Sequence, residues 1–483
     1  MALFSVMMAS CILFPDPVPK GPVESTFYAR NIATRDFYTV KARMMYEGEK
    51  CEIWAEVNSG VTEAEAKNIA REYDNKIRAM IVEAFGSEFD DGSDILDYAN
   101  WLVGRDNRKL TILLLDIQDN FDLEKENYSY VAGYFWAGNF FPQNINDYSN
   151  ERDMIYVDTY PGLKMQTTQA YATFAHELQH LVNFVTTVLI NRTNSQNALL
   201  SMDTWIDEGL SSYAEFLYLD EQNLEDKCEW FSEDPNKTIG KGNNFFVWGN
   251  YDNDRYAILD DYATVYLFFR WLYLQAAGTE LQSHIFRDIA HSEYPDYRAV
   301  TGVAQKINPA WGNWEDLLGT WLAANHDPKN AVYGYKGDLY LQEGYGSTPK
   351  TDPKDDYKGI RVNPIGGLRV PLYPGEGVYS IIKGSYSTIG GSNIRYEELA
   401  GNTRNVTMLL TFNANTYNTY DTNNPNDTKN AAPETGSLTG VAPPVTASRA
   451  AAENALPGKR TPYVIDARDM LGQDHERLTF RVP

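Results

Sequence analysis

The chain of 483 residues is longer than one ordinary hydrophobic core can organise, so two or three domains are expected. Its formal net charge of −24 argues against nucleic-acid binding, because phosphate would be repelled. No apolar run reaches the roughly 18 residues that a membrane-spanning helix needs. The cysteines are few and odd in number, which gives no disulfide framework. They are Cys11, Cys51 and Cys228.

Residues 1–26 are expected to form a signal-like segment and a tether. Met8-Ala9-Ser10-Cys11 closes an apolar stretch and is similar to the lipobox of bacterial lipoproteins. No Lys or Arg precedes it and the stretch is short, so a simple secretory or disordered start is the alternative. Four prolines follow within residues 15–22, which is typical of a tether. The pattern predicts an extracytoplasmic protein, secreted or attached to the membrane through a lipidated Cys11.

Residues 27–165 predict a sheet-rich part with one helix. Alternating apolar and polar residues, or short apolar runs, indicate strands at 37–43, 51–57, 110–116, 130–136 and 154–158. The continuous apolar run at 110–116 is typical of a central strand that is buried on both faces. Thr62 and Glu65 have capping-box spacing, which predicts a helix start. The strand near 154–157 is expected to border a cleft and pair with extended peptide.

Residues 166–335 predict a helical part, and together the two parts give an α+β fold of mixed sheet followed by a helical subdomain. Helices are expected over 168–187, from Asp203 onward, and over 262–277, 285–289 and 314–324, with a loop at 240–250. Residues 336–483 predict an all-β domain with strands at 367–371, 378–382, 406–412 and 478–482. An Asn/Thr/Pro-rich segment near 413–460 predicts a flexible linker.

The strongest motif is His176-Glu177-x-x-His180. Two histidines four residues apart lie on one helix face, about one turn from each other, so both can reach one zinc ion. Glu177 points toward the same site. Apolar neighbours lie all round this helix and predict its burial: Phe174, Leu178, Leu181, Val182 and Phe184.

A catalytic zinc site needs a third protein ligand and an open position for water. Glu208, in Trp205-Ile206-Asp207-Glu208-Gly209, lies 28 residues after His180, which lets the chain turn and bring a second helix back. The other histidines are isolated and are expected to have ordinary polar roles. They are His284, His291, His326 and His475.

These residues resemble the gluzincin class of zinc metallopeptidases. Segments 174–184 and 205–215 are most similar to hyicolysin-type peptidases, with looser similarity at 133–136 and 149–158. The similarity covers about residues 27–330, and the C-terminal third has no match. The resemblance implies a zincin-like domain, zinc bound by His176, His180 and Glu208, and Glu177 as general base in zinc-dependent peptide-bond hydrolysis.

The sequence departs from that class in two ways. Thermolysin-like gluzincins have an Asp four residues after the glutamate ligand, where this chain has Ser212; Glu215 is a substitute on the same face. Asp207 is expected to be a solvated or capping carboxylate. No residue clearly marks the oxyanion donor. Tyr262 is the candidate, with Tyr256 and Tyr266 as rivals.

The remaining expectations concern calcium, partners and alternative functions. Calcium is a weak expectation at 90–94 and 252–254, which are carboxylate-rich but lack the full spacing of a calcium loop. The expected partner is a peptide or protein substrate; the oligomeric state stays open. Two alternative functions remain: a non-catalytic exported surface-binding lipoprotein on the same fold, and an aminopeptidase, although the Gly-rich exopeptidase motif is absent.

Overall fold

The computed structural model describes residues 23–86, 109–119, 121–122, 130–144, 146–190, 202–219, 243–246 and 257–336, with short C-terminal segments at 370–372, 376–381, 394–399, 406–411 and 434–436. Several expectations lie outside these residues. They are the lipobox-like segment with Cys11, the two carboxylate-rich turns, Tyr256, His475 and the strand at 478–482. Within the described residues, no helix has both the length and the apolar character needed to cross a membrane.

A six-stranded mixed sheet forms the first part of the fold. Its strands are β1 (Glu24–Arg30), β2 (Phe37–Glu47), β3 (Cys51–Glu56), β4 (Leu110–Leu115), β5 (Gly133–Phe135) and β6 (Met154–Asp158). Their order in the sheet is β1-β2-β3-β4-β6-β5. Strands β3, β4 and β6 are parallel, and the remaining pairs are antiparallel. Residues 24–26 therefore belong to a strand rather than to the predicted tether.

The central strand has the position that its composition predicts. Every residue of β4 is buried, and β3 and β6 pair with its two edges. Strand β5 lies outside β6, so β6 has neighbours on both sides. Among the described strands, β5 is therefore the edge of the sheet on this side, and the expectation that residues 154–157 pair with an extended peptide is wrong.

Two helices and several short turns connect and cover the sheet. Helix α1 (Glu63–Glu72) starts with the predicted capping box, in which Thr62 and Glu65 exchange hydrogen bonds of 3.2 and 2.7 Å. A π-turn (Tyr73–Ile77) joins it to α2 (Arg78–Phe85). Other single turns are Ala137–Phe140, Thr159–Leu163, Val185–Ile190, Glu280–Ser283 and Pro309–Gly312.

The helical part is built on α3 (Thr167–Phe184), which packs against β5, β6 and α2. Helix α4 (Thr204–Leu219) packs on α3, and α5 (Ala257–Gln275) packs on α4. The remaining helices are α6 (Ile285–Ala290), α7 (Tyr297–Ile307) and α8 (Trp314–His326). Trp205 at the start of α4 is buried among aromatic rings of Phe245, Phe268 and Trp314, with centroids 5.1 to 6.1 Å away. This aromatic packing holds the start of α4 against α5 and α8.

The C-terminal strands are β8 (Val370–Leu372), β9 (Glu376–Ile381), β10 (Ile394–Leu399), β11 (Val406–Thr411) and β12 (Glu434–Gly436). A short strand, β7 (Asn243–Asn244), comes from the predicted loop at 240–250 and pairs with β9 in the order β10-β11-β9-β7. Strand β12 lies in the segment predicted to be a linker and pairs with β8. Strands β7 and β12 pair over only two and three residues. Segments this short have no alternation of apolar and polar side chains from which a strand could be predicted. The α+β fold class is confirmed.

Candidate metal centre

The two histidines and Glu208 come together between α3 and α4. His176 and His180 lie one turn apart on α3, Glu208 lies on α4, and all three side chains are fully buried. The Nε2 atoms of the two rings are 3.0 Å apart. Glu208 Oε2 is 3.4 Å from each of them. Among the described residues, these are the only three ligand-type side chains whose atoms converge within 4.8 Å.

This triangle fits a zinc ion. Zinc binds imidazole nitrogen and carboxylate oxygen at about 2.0–2.2 Å in a tetrahedron, whose edges are then about 3.3–3.6 Å. The observed separations of 3.0, 3.4 and 3.4 Å are close to the edges of one tetrahedral face. Within the described residues no fourth ligand-type side chain joins the cluster, and three protein ligands are the number typical of catalytic rather than structural zinc sites.

The tautomers of the rings support the same conclusion. His176 Nδ1 lies 2.6 Å from Glu215 Oε1, and His180 Nδ1 lies 3.0 Å from Asp207 Oδ1. Carboxylates accept hydrogen bonds, so each Nδ1 is placed to carry a proton, and deprotonation of Nε2 then leaves a lone pair directed at the centre of the triangle. Two lone pairs and a carboxylate oxygen repel one another in a buried site unless a cation lies between them.

The cluster attracts positive charge. Burial of the His176 ring opposes its protonated form, but hydrogen bonds with Glu208 and Glu215 outweigh burial and raise the pKa of His176 to about 9. A metal ion competes with that proton for the same nitrogen, because ligands must be deprotonated to bind.

Asp207 is not the solvated or capping carboxylate that the sequence suggested. Its side chain is buried, and the Oδ1 atom that faces His180 also accepts a 2.6 Å hydrogen bond from Asn183 Nδ2. Asn183 Oδ1 in turn accepts from Thr187 Oγ1 at 3.2 Å. Asp207 is buried because it immediately precedes Glu208 on α4, and α4 is tightly packed on α3. Both carboxylates therefore face the site.

Ser211 adds a second polar neighbour to the same ring. Its Oγ lies 2.8 Å from His180 Nδ1 and 3.0 Å from the carbonyl oxygen of Asp207, and it contacts Oε1 of Gln179. Ser212 is different. Its Oγ is buried and has no hydrogen-bond partner among the described residues. The position where thermolysin-like enzymes have an aspartate therefore orients neither ring, and Glu215 does so from further along the helix.

Glu177 is fully buried and lies against the edge strand. A Cβ atom built on Gly133 of β5 would be 3.1 Å from Glu177 Cγ, 2.6 Å from Thr173 Cγ2 and 2.9 Å from the carbonyl oxygen of Tyr156. Only a residue without a side chain lets β5 come this close to α3. The glycine thus allows the sheet edge and the candidate base to share one wall.

The remaining candidates have the following places. Tyr262 is buried in the second turn of α5, which packs on α4, and Tyr266 is buried one turn further on. His284 pairs with Asp288 at 3.1 Å, and His291 Nε2 lies 3.1 Å from the carbonyl oxygen of Phe85. Those two histidines have the ordinary polar roles that were expected. The side chain of His326 lies outside the described residues.

Sequence reasoning missed Asp207 and Asn183 as partners of the site. Asn183 lies three residues after His180, on the same face of α3. An amide at that spacing is a weak signal, because nothing in the sequence tells whether it faces α4 or solvent.

Comparison with known proteins agrees with this geometry. No family model matches the chain. The chain is 28% identical over 320 residues to the neutral metalloprotease ShpI of Staphylococcus hyicus. The match covers 65% of this chain and 65% of that protein, which is less than two thirds of its length. Together with the converging His176, His180 and Glu208, it confirms the resemblance to metallopeptidases of this type.

Proposed function

We propose that the chain is a zinc-dependent endopeptidase in which His176, His180 and Glu208 hold the metal. The carrying observation is the triangle of Nε2, Nε2 and Oε2 atoms, whose sides of 3.0, 3.4 and 3.4 Å match one face of a zinc tetrahedron. The sequence similarity to a neutral metalloprotease supports the same activity.

Zinc bound there supplies a Lewis acid that lowers the pKa of a coordinated water toward neutrality. Glu177, between the two histidines on α3, accepts the proton of the attacking water and returns it to the leaving amine. The place of Glu177 supports this role, because its side chain is fully buried beside Gly133 and the two histidines flank it on the same helix. We assign Tyr262 as the donor to the developing oxyanion, on the strength of its place on α5 next to α4.

The substrate is proposed to bind as an extended strand along β5. Backbone N–H and C=O groups at a sheet edge pair readily with an extended peptide. Strand β5 is the edge among the described strands, and Gly133 brings it against Glu177. A peptide added there would run past the candidate base, which favours cleavage within a chain over removal of a terminal residue.

The place of action and the domain arrangement are proposals as well. The lipobox-like Met8-Ala9-Ser10-Cys11 supports export, with secretion or a lipid anchor as the outcome. Residues 336–483 are proposed to form a β-rich domain that binds substrate or a surface. Pairing of β7 with β9, and the position of α8 beside β9 and β11, support a connection between that domain and the helical part.

The test combines metal content with hydrolysis of casein. Protein purified without chelator is expected to carry about one zinc per chain. Glu177→Gln is expected to keep the zinc and to lower the turnover number about 10²- to 10⁴-fold, because only the base is lost. Glu83→Gln, an exposed position on α2, is the matched control and should behave like the wild type.

Three outcomes would contradict the proposal. A chain that binds no metal is not a zinc enzyme, and a Glu177→Gln variant with full activity has another base. A chain that binds zinc and cleaves neither casein nor peptides is the non-catalytic alternative. A peptide with an acetylated N-terminus distinguishes the two remaining activities, because an aminopeptidase cannot cleave it and an endopeptidase can.

A further inference from the structure

Helix α4 contributes more than one ligand to the metal site. Successive residues on a helix differ by about 100°, so Asp207, Glu208, Ser211 and Glu215 fall within roughly one quarter to one third of its circumference. This face is turned toward α3, where each of these side chains has a polar contact with His176, His180 or both. One helix therefore carries the carboxylate ligand and a partner for each imidazole.

We infer that Glu215 and Asp207 are positioning residues that fix the tautomers and ring orientations of His176 and His180, and that Asn183 holds Asp207 in place. The inference rests on the proposed function, since the rings must be aligned toward a metal. Residues of this kind act through the ligands and do not touch the substrate.

Because they are buried, the two imidazole rings depend on protein partners for their tautomers. A neutral imidazole can carry its proton on either nitrogen, and only the form protonated on Nδ1 presents Nε2 to the metal. Both rings are fully buried, so no bulk water replaces a lost partner. A carboxylate at 2.6 Å from His176 and one at 3.0 Å from His180 select the required tautomer and limit ring rotation.

His176 and His180 differ in the number and distance of their polar partners, and this difference predicts an order of effects on metal affinity. His176 faces Glu215 at the shorter distance of 2.6 Å. His180 has Ser211 Oγ at 2.8 Å as well as Asp207 at 3.0 Å, so it keeps a polar neighbour when Asp207 changes. The loss of metal affinity should therefore be larger for Glu215→Gln than for Asp207→Asn, and smallest for Asn183→Ala, which acts only through Asp207.

The experiment measures metal affinity in the full chain. Metal-free protein is titrated with Co²⁺ against a competing chelator, and the visible absorption of bound Co²⁺ reports the coordination geometry. Glu215→Gln is expected to weaken binding about 10- to 100-fold and to change the spectrum, as replacement of such outer partners does. Asp207→Asn should fall toward the ~10-fold end, and Asn183→Ala below it.

Ser212→Ala is the matched control, because Ser212 is buried on the same helix and its hydroxyl has no described partner. It should keep the affinity and the spectrum of the wild type. Circular dichroism of the metal-free variants checks that each one folds. If Glu215→Gln fails to fold, Asn183→Ala is the variant that tests the inference. Asn183 contacts Asp207, and Asp207 contacts His180, so this substitution does not touch the hydrogen bonds of a metal ligand directly.

The outcomes separate this inference from the proposed function. A wild type that binds Co²⁺ and cleaves casein, with carboxamide variants of unchanged affinity and spectrum, overturns the positioning role alone. A wild type that binds neither Co²⁺ nor Zn²⁺ overturns the proposed function together with it. The positioning role is also overturned if folded Ser212→Ala loses as much affinity as Glu215→Gln, and the ranking is overturned if Asp207→Asn or Asn183→Ala loses more.

Discussion

Buried or half-buried carboxylates lie in two regions of this chain, and they have different partners. Between α3 and α4, Asp207 and Glu215 face imidazole rings. At the ends of β3, β4 and β6, a second group faces backbone N–H. Asp158, for example, accepts from Ile117 at 3.1 Å and from Gly162 at 2.7 Å. The strand-end carboxylates that accept from backbone N–H are Glu56, Asp119 and Asp158.

The difference shows that burial of acidic groups does not by itself make a metal site. The strand-end carboxylates hold loops: Asp119 accepts from the backbone N–H groups of Phe121 and Val131, both at 2.7 Å. Their oxygens are directed at separate amides, and no three of them converge within the described residues. At the helix pair, lone pairs from three side chains point to one place. Convergence is therefore the feature that predicts a cation.

Removal of zinc should give the largest effect and should act on the helix pair alone. Chelation is expected to abolish casein hydrolysis. It should also lower the free energy of unfolding by about 4 kcal/mol when free zinc had been at roughly 1,000 times its dissociation constant. Calorimetry with and without chelator measures this change.

Hydrogen exchange makes the same experiment region-specific. After chelation, backbone amides of α3 and α4 should exchange faster, because the metal no longer joins the two helices. The amides of Ile117 and Gly162 should keep their rates, because Asp158 still accepts from them. Equal acceleration in both regions would mean that the two carboxylate groups depend on one another.

Gly133→Ala should have an intermediate effect and should separate the base from the metal. The new methyl group would lie 2.6 Å from Thr173 Cγ2 and 2.9 Å from the carbonyl oxygen of Tyr156, so β5 or α3 must shift. Overpacking of this size costs about 1–3 kcal/mol of stability. Hydrolysis should fall at least about 10-fold, because a displacement of about 1 Å in a catalytic group has effects of this order or larger.

Metal content distinguishes the possible causes of that loss. The metal ligands are not among the atoms that the methyl group meets, so Gly133→Ala should retain about one zinc per chain. Gly60→Ala is a suitable control for substitution at a glycine, because nothing lies within 4 Å of its added Cβ, although its φ of +74° adds a local cost. Loss of zinc from Gly133→Ala would mean that β5 supports the ligands as well as the base.

Several features of the fold and of the metal site were predictable from sequence, because each depends on residues close together in the chain. The His176-Glu177-x-x-His180 spacing places both rings on one helix face regardless of the rest of the fold. The run at 110–116 predicts a central strand, because every residue from Leu110 to Leu115 is apolar or Thr. Glu208 followed from the need for a third ligand on a later helix.

The parts that were wrong depend on contacts between distant elements. Asp207 and Glu208 are neighbours on α4, and only the packing of α4 on α3 decides that both turn inward. Strand β5 comes before β6 in the chain but lies outside it in the sheet, an insertion order that residue periodicity does not encode. The pairing of β7 with β9 joins segments more than a hundred residues apart through backbone groups alone.

Asp158→Asn should have the smallest effect and should leave metal affinity unchanged. Both carboxylate oxygens of Asp158 accept a backbone N–H, so an amide replaces one acceptor by a donor and leaves one N–H unpaired. The expected loss is about 1–3 kcal/mol in the free energy of unfolding near pH 5. Asp116→Asn, at an exposed position of the same region, is the control and should change stability little.

The two carboxylate regions are expected to respond to pH in opposite directions: stability near Asp158 falls as the pH rises, while zinc binding at the helix pair strengthens. Burial raises the pKa of Asp158 from 3.8 to about 7, so between these values the folded state holds a proton that the unfolded state releases. The stability of metal-free protein should therefore fall as the pH rises from about 4 to 7. Asp158→Asn should reduce that slope, so its cost shrinks toward neutral pH, while the raised pKa values of Glu56, Asp116 and Asp119 keep part of it. Zinc binding has the opposite sign, because protonation of His176 and His180 at low pH weakens it. Urea unfolding of metal-free protein at several pH values measures the slope, and an unchanged slope in Asp158→Asn would show that another group carries it.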